Sequence, residues 1–151
     1  MKKDTIVLGL GNPLMSDEGI GGFVVEQLKK AAVQYPNVEF VDAGTAGMSL
    51  LHLLAGRRKA VIIDCAFMGT EPGTIKKFTP DDVSSVKKLV HQSLHELDIL
   101  KVIEISKQMG EAPEEIIIFG IEPQKIEPGQ EISQPLTAKI NEYIKDIRNE
   151  L

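Results

Sequence analysis

Acidic side chains stand close to two predicted strands, in positions where they could do chemistry. Asp17 and Glu18 close the loop that follows the apolar run of residues 5–9, and Asp64 comes near the end of the apolar run of residues 60–66. A lone carboxylate is costly to bury, so we expect Asp64 to lie at the rim of a sheet, facing water, a cation or a hydrogen-bond donor. Two carboxylates at one rim can bind a hard or borderline cation, especially together with an imidazole.

Structural interpretations of the same acids stay open. Asp17 and Glu18 come just before a glycine-rich helix start, where acids interact favourably with the helix dipole. Taken alone, Asp64 also fits a strand-end acid that caps the following loop. The acids by themselves therefore do not decide between a cation site and local structure.

Two histidines are the candidate imidazoles. His91 and His95 are four residues apart, but Gln92 stands where the zinc-protease pattern His-Glu-x-x-His needs glutamate. His95 lies at the start of a long predicted helix, and a loop-to-helix position favours contact with the rim. A surface position is the ordinary alternative for either histidine.

Other common chemistries lack their motifs. The first loop begins like a dinucleotide fingerprint, but Leu14 occupies the place of its third glycine. Neither a Gly-Lys-Ser/Thr phosphate loop nor a Gly-x-Ser-x-Gly elbow is present. Cys65 alternates with Asp64 along a strand, which predicts a buried structural cysteine pointing away from the acid.

The elements that would position these residues alternate between short apolar strands and amphipathic helices. Strands are predicted at residues 5–9, 38–42, 60–66, 74–78 and 115–121, and the main helices at residues 20–32, 48–55 and 94–109 and from Pro135 onward. In the long helix, Leu97, Leu100 and Ile103 are expected to face the core. This alternation indicates a three-layer α/β domain around a largely parallel sheet. The loops after Gly9, Asp42, Asp64 and Ile121 should share one rim, where such sheets bind ligands.

Composition excludes several classes of protein. The 151 residues carry a formal charge of −5 and are 42% hydrophobic, which argues against a disordered chain and against a nucleic-acid binder with a basic face. A single cysteine cannot form an internal disulfide, and no apolar stretch approaches the ~20 residues of a membrane span. We expect one soluble, cytoplasmic domain over residues 1–151.

Several blocks together resemble the hydrogenase maturation proteases. They are the segment from Gly9 to Gly19, the Asp42-Ala43-Gly44-Thr45-Ala46-Gly47 block, Ile63-Asp64, Ser93-Leu94-His95, and Gly120-Ile121-Glu122-Pro123. They follow the family's order along nearly the whole chain. The resemblance implies a three-layer α/β/α fold with a mixed, mainly parallel five-stranded sheet, of the phosphorylase/hydrolase-like type.

The resemblance also implies an activity. It is a single endoproteolytic cut that removes the C-terminal extension from the large-subunit precursor of a nickel-iron hydrogenase after nickel insertion. The family's metal-contacting and catalytic acids fall on Glu18 and Asp64, and its histidine falls on His95, with His91 as the alternative. The nickel would come with the precursor. The turn of Gly44, Thr45 and Gly47 resembles the family's substrate-facing loop, supported by Asp42.

Two other functions remain open from the sequence. One is a small-molecule hydrolase or phosphorylase-like enzyme that uses the same rim, since one fold hosts many functions. The other is a non-enzymatic hydrogenase assembly factor whose acids only contact metal.

Overall fold

The described strands all belong to one sheet. The computed structural model describes residues 2–82 and 94–151, except for the side chains of residues 94–98. Its five strands are β1 (Thr5–Leu10), β2 (Val38–Gly44), β3 (Lys59–Cys65), β4 (Ile75–Phe78) and β5 (Glu115–Ile121). These bounds agree with the sequence prediction to within two residues.

The sheet is mixed and mainly parallel, as predicted. The strand order is β2-β1-β3-β5-β4; β4 runs antiparallel to β5, and the other neighbouring pairs are parallel. Gly9 pairs with Asp42 on one side and with Ile63 on the other, so these residues lie level across three strands. The carboxyl ends of the four parallel strands therefore lie along one side of the sheet, which we call the carboxyl edge. The predicted shared rim is confirmed.

Five α-helices have both ends in the described part of the chain. They are α1 (Ile20–Lys29), α2 (Leu50–Leu54), α3 (Leu94–Gln108), α4 (Gln134–Thr137) and α5 (Ile140–Arg148). The predicted helix of residues 48–55 begins with a 3-10 turn, and the predicted last helix is divided in two. No helix in this part of the chain is long and apolar enough to cross a membrane.

Helices cover both faces of the sheet, which confirms the three-layer architecture. The residues of α1 and α5 pack with one face of the strands in a first buried cluster, which includes Val7, Phe40, Val61, Cys65, Tyr143 and Ile147. The residues of α2 and α3 pack on the opposite face in a second cluster, which includes Ile6, Leu8, Leu54, Ile62, Ile99 and Ile103. The α3 core prediction is partly wrong: Ile103 is buried, but Leu100 is only partly buried, and Ile99 and Val102 complete the buried stripe. Leu97 lies outside the described side chains.

The direction of α3 follows from its connection to β5. Only residues 109–114 join the end of α3 to Glu115, which pairs with Lys59 at the opposite, amino edge of the sheet. At ~1.5 Å per residue, the 15 residues of α3 are about as long as β5. The first turn of α3, which includes His95, is therefore at the carboxyl edge, and α3 contacts the 3-10 turn Gly47–Ser49 that follows β2.

Candidate functional site

Glu18 is positioned by a tight backbone contact at the end of β1. It belongs to the 3-10 turn Ser16–Gly19, and its carbonyl oxygen packs on Gly11. A Cβ atom at Gly11 would come within 1.9 Å of that oxygen, and the φ of Gly11 is +121°, so only glycine fits there. The side chain of Glu18 is partly exposed.

Asp64 is the second-to-last residue of β3 and is buried. Its side chain is 2% exposed, and its Oδ1 accepts a hydrogen bond of 2.8 Å from the backbone N–H of Cys65. Strand alternation places Asp64 on the same face as Ile62, the face covered by α2 and α3. Of the three partners expected for Asp64 at the rim, the structure shows a hydrogen-bond donor, the N–H of Cys65, and the low exposure of the side chain excludes the expected contact with bulk water.

Glu18 and Asp64 lie at the same edge, on neighbouring segments. Asp64 is one residue beyond the Gly9–Ile63 pair, and Glu18 packs on Gly11 just past the end of β1. Burial raises the pKa of Cys65, and the negative charges of Asp64, Asp17, Glu18 and Glu122 raise this pKa further. Cys65 is buried, as the sequence predicts.

The third predicted metal ligand is placed only by its backbone. His95 is the second residue of α3, at the carboxyl edge, and its side chain lies outside the described residues. His91 also lies outside them. Among the side chains that the structure describes, no three histidines, cysteines or acids are grouped to hold a metal ion. Ligation by Glu18, Asp64 and His95 together stays a prediction.

Asp17 has a structural role that the sequence did not reveal. It is fully buried; its Oδ1 accepts a hydrogen bond from the N–H of Ser133, and its Oδ2 accepts from Gln124 N, Lys125 N and Ser133 Oγ, at 2.7–3.0 Å. Burial by itself would raise the pKa of Asp17, but the hydrogen bonds from Ser133, Lys125 and Gln124 together lower it. Asp17 thus ties the first loop to the segment after β5, and it makes no cap bond to α1.

Glu122 ties the loop after β3 to the end of β5. It is 6% exposed, and its Oε1 accepts hydrogen bonds from Met68 N (2.7 Å), Thr70 N (3.1 Å) and Thr70 Oγ1 (3.0 Å). In the sequence, Glu122 stood out only as part of the Gly120-Ile121-Glu122-Pro123 block. These bonds hold residues 68–70 against the end of β5.

Asp42 faces the other side of the sheet from Asp64. Asp42 is two residues after Phe40 in β2, so both lie on the face that α1 covers. Its two carboxylate oxygens lie 2.7 Å from the position that a Cβ atom on Gly22 would take. Asp42 also lines a cleft of about 350 Å³ with Pro13, Phe23 and Ile132. The structure therefore brings Glu18 and Asp64 to one edge but does not bring Asp42 onto the face of Asp64.

The turn after β2 is open and conformationally special. Gly44 and Gly47 have φ values of +55° and +59°, and a Cβ on either would meet nothing within 4 Å. Thr45 between them is exposed. The carbonyl of Gly44 accepts a hydrogen bond of 2.9 Å from Gly11 N, so this turn is fastened to the loop that carries Glu18.

Comparison with known proteins finds similarity to hydrogenase maturation proteases. A family model described as hydrogenase maturation protease matches residues 23–150. The chain is 33% identical over 139 residues to the hydrogenase expression/formation protein HupD of Rhizobium leguminosarum bv. viciae, which covers 92% of this chain and 67% of that protein. It is 31% identical over 145 residues to the hydrogenase 2 maturation protease of Escherichia coli K12, with 94% of this chain and 87% of that protein covered.

Solved structures show the same fold. The hydrogenase maturating endopeptidase HybD from E. coli superposes with a TM-score of 0.86 at 30% identity, covering 100% of this chain and 92% of that one. The chain is shorter than some of its relatives: its match spans 56% of the HupD protein of Thiocapsa roseopersicina.

Proposed function

This chain belongs to the hydrogenase maturation protease family, and we propose that it removes the C-terminal extension from the large-subunit precursor of a nickel-iron hydrogenase once nickel has been inserted. The observation that supports this most directly is the position of Glu18 and Asp64 at the carboxyl edge, with Asp64 near the end of β3 and Glu18 in the turn after the neighbouring strand β1. The predicted location in the cytoplasm stays a prediction.

The donor set suits nickel that arrives with the precursor. Carboxylates and imidazole both bind borderline divalent ions, and two or three such ligands can contact a metal already held by another protein. Glu18 and Asp64 supply the carboxylates in this proposal, and His95, at the same edge by its place in α3, supplies the imidazole. The nickel is thus part of the substrate, and it supplies Lewis acidity where it is bound.

The two acids differ in what they can do. Asp64 is buried and one of its oxygens accepts a hydrogen bond from Cys65 N–H, so in this proposal it acts as a rigid contact. Glu18 is partly exposed, so water can reach its carboxylate. We assign to Glu18 the removal of a proton from the attacking water, which requires an accessible base.

The open turn after β2 is the proposed contact for the substrate chain. Gly44, Thr45 and Gly47 lie at the carboxyl edge. A Cβ atom on Gly44 or Gly47 would meet no atom within 4 Å, so a peptide can approach the backbone of this turn closely. Asp42 accepts a hydrogen bond of 3.2 Å from Gly44 N and steadies the start of the turn. β2 is also an outer strand of the sheet, which leaves this side accessible.

A cleavage assay on nickel-loaded and nickel-free precursor tests the proposal, with binding to both forms measured in parallel. We expect cleavage of the loaded form only. Binding without any cleavage would indicate an assembly factor instead. A protein that neither binds nor cuts either form would favour an enzyme acting on small molecules.

A further inference from the structure

Large apolar side chains are exposed on three loops at the carboxyl edge. Leu14 follows β1, Met48 follows β2 and Phe67 follows β3, and they are 57%, 52% and 41% exposed. The order β2-β1-β3 makes these three loops neighbours. We propose that Leu14, Met48 and Phe67, here called the apolar rim, dock the folded body of the hydrogenase precursor beside the scissile segment; this inference rests on the proposed function.

The backbone beneath each rim residue is held in place. The N–H of Leu14 donates to Asn12 Oδ1 (2.9 Å), and its carbonyl accepts from Gly129 N (2.9 Å). Phe67 precedes Met68, whose N–H donates to Glu122. Met48 lies in a 3-10 turn closed by the bond from Ser49 Oγ to the carbonyl of Ala46 (2.8 Å). Because these side chains are exposed on a fixed backbone, binding through them costs little further ordering of the chain.

Charge around the rim defines the chemistry of the partner. The four loops after β1, β2, β3 and β5, residues 11–19, 45–49, 66–74 and 122–133, contain one lysine and six acids, of which Asp17 and Glu122 are buried. The lysine, Lys125, is 3.3 Å from Glu127 and so is already paired. An apolar patch in an acidic surround is complementary to an apolar patch flanked by lysine or arginine. The precursor face that docks here should have that composition.

The opposite end of the molecule provides matched controls. Val33 is 93% exposed beyond the end of α1, and Met109 is 55% exposed between α3 and β5, both toward the amino edge. Substitution of these residues removes as much exposed apolar surface as substitution in the rim, but far from the carboxyl edge. The comparison separates docking at the rim from a general effect of surface hydrophobicity.

The test compares Leu14→Ser, Met48→Ser and Phe67→Ser with Val33→Ser and Met109→Ser. Binding is titrated with nickel-free precursor, and kcat and KM are measured on nickel-loaded precursor. Each rim variant should weaken binding and raise KM by about five- to tenfold while kcat and thermal unfolding stay unchanged, and the controls should match the wild type. Higher salt should slow association of the wild type.

Several results would contradict docking at the apolar rim. They are wild-type binding by all three rim variants, a loss in kcat without a change in KM, equal losses in the controls, or self-association of the wild type that the rim substitutions abolish. If the wild type cuts neither precursor, the proposed function fails. The binding titration then still tests whether the apolar rim docks the precursor. Loss of precursor binding in the rim variants alone supports docking at the rim, and undiminished binding refutes it.

Discussion

Asp17 and Glu18 are adjacent acids with different environments. Asp17 is fully buried and accepts four hydrogen bonds from residues 124–133, whereas Glu18 is partly exposed at the carboxyl edge. The preceding residue, Ser16, has a φ of +54°, an uncommon value outside glycine, and its N–H and Oγ bond to the carbonyls of Gly129 and Glu127. The loop is therefore shaped by contacts with the segment after β5, and Glu18 takes its position from them.

Replacing Asp17 with asparagine should destabilise the protein at pH 7 by about 1–3 kcal/mol, because an amide cannot accept all four hydrogen bonds. The pKa of Asp17 is lower in the folded chain than its ordinary value of 3.8, so its contribution to stability is present above that pH and is lost as pH falls through the folded pKa. The difference in unfolding free energy between wild type and Asp17→Asn should thus shrink below about pH 3.8.

Urea unfolding at pH 7 and at pH 2.5 to 3 measures this difference. Asp4→Asn, at an exposed position, is the control and should match the wild type at both pH values. A difference for Asp17→Asn that does not change with pH would show that the charge of Asp17 contributes nothing.

At the scale of elements, the strands were predictable and one helix face was not. The apolar run of residues 115–121 matches β5 to the residue, since a strand buried on both faces is continuously apolar. In α3 the buried stripe is Ile99, Val102, Ile103 and Ser106, at helical spacing. The pattern of apolar residues favoured the neighbouring stripe that contains Leu100, because one position of the buried stripe is occupied by the polar residue Ser106.

The long-range contacts of the site had no local signal. The partners of Asp17 lie more than 100 residues away, and Glu122 binds residues 68–70. In contrast, the common edge of Glu18 and Asp64 was predictable, because the carboxyl ends of parallel strands must lie together. Topology therefore placed the acids, and hydrogen bonds between distant loops fixed their geometry.

The first turn of α1 packs on the sheet through glycine. A Cβ at Gly21 would lie 2.4 Å from the carbonyl oxygen of Ile63 and 2.5 Å from that of Leu10. Gly21→Ala should therefore cost about 3 kcal/mol or more, since two backbone segments would have to separate. Gly44→Ala meets no atom within 4 Å and should cost only the ~1 kcal/mol of its left-handed conformation.

Chemical denaturation of both variants checks this order. Equal destabilisation by the two alanines would contradict the close packing of α1 on β1 and β3. Gly21→Ala should also slow precursor cleavage, because the displaced helix follows directly on the turn that carries Glu18.

At the scale of the whole molecule, the carboxyl edge is where the two faces of the sheet meet. Asp64 belongs to the α2 and α3 face and Asp42 to the α1 face, yet the loops that follow their strands reach the same edge. An extended substrate lying along this edge would pass the open turn of Gly44 and Gly47 and then the acids. Among the described residues, the loops at this edge carry both acids and exposed apolar side chains.

In the proposed reaction, Glu18 and Asp64 act together on the nickel-loaded precursor. The most direct measurement is the cleavage rate of that precursor by Glu18→Gln and Asp64→Asn, with Glu115→Gln at the amino edge as the control and circular dichroism to verify folding. We expect both site variants to lose at least about 100-fold in rate while the control cuts normally. Cleavage at the wild-type rate by folded Glu18→Gln and Asp64→Asn would contradict the proposed reaction.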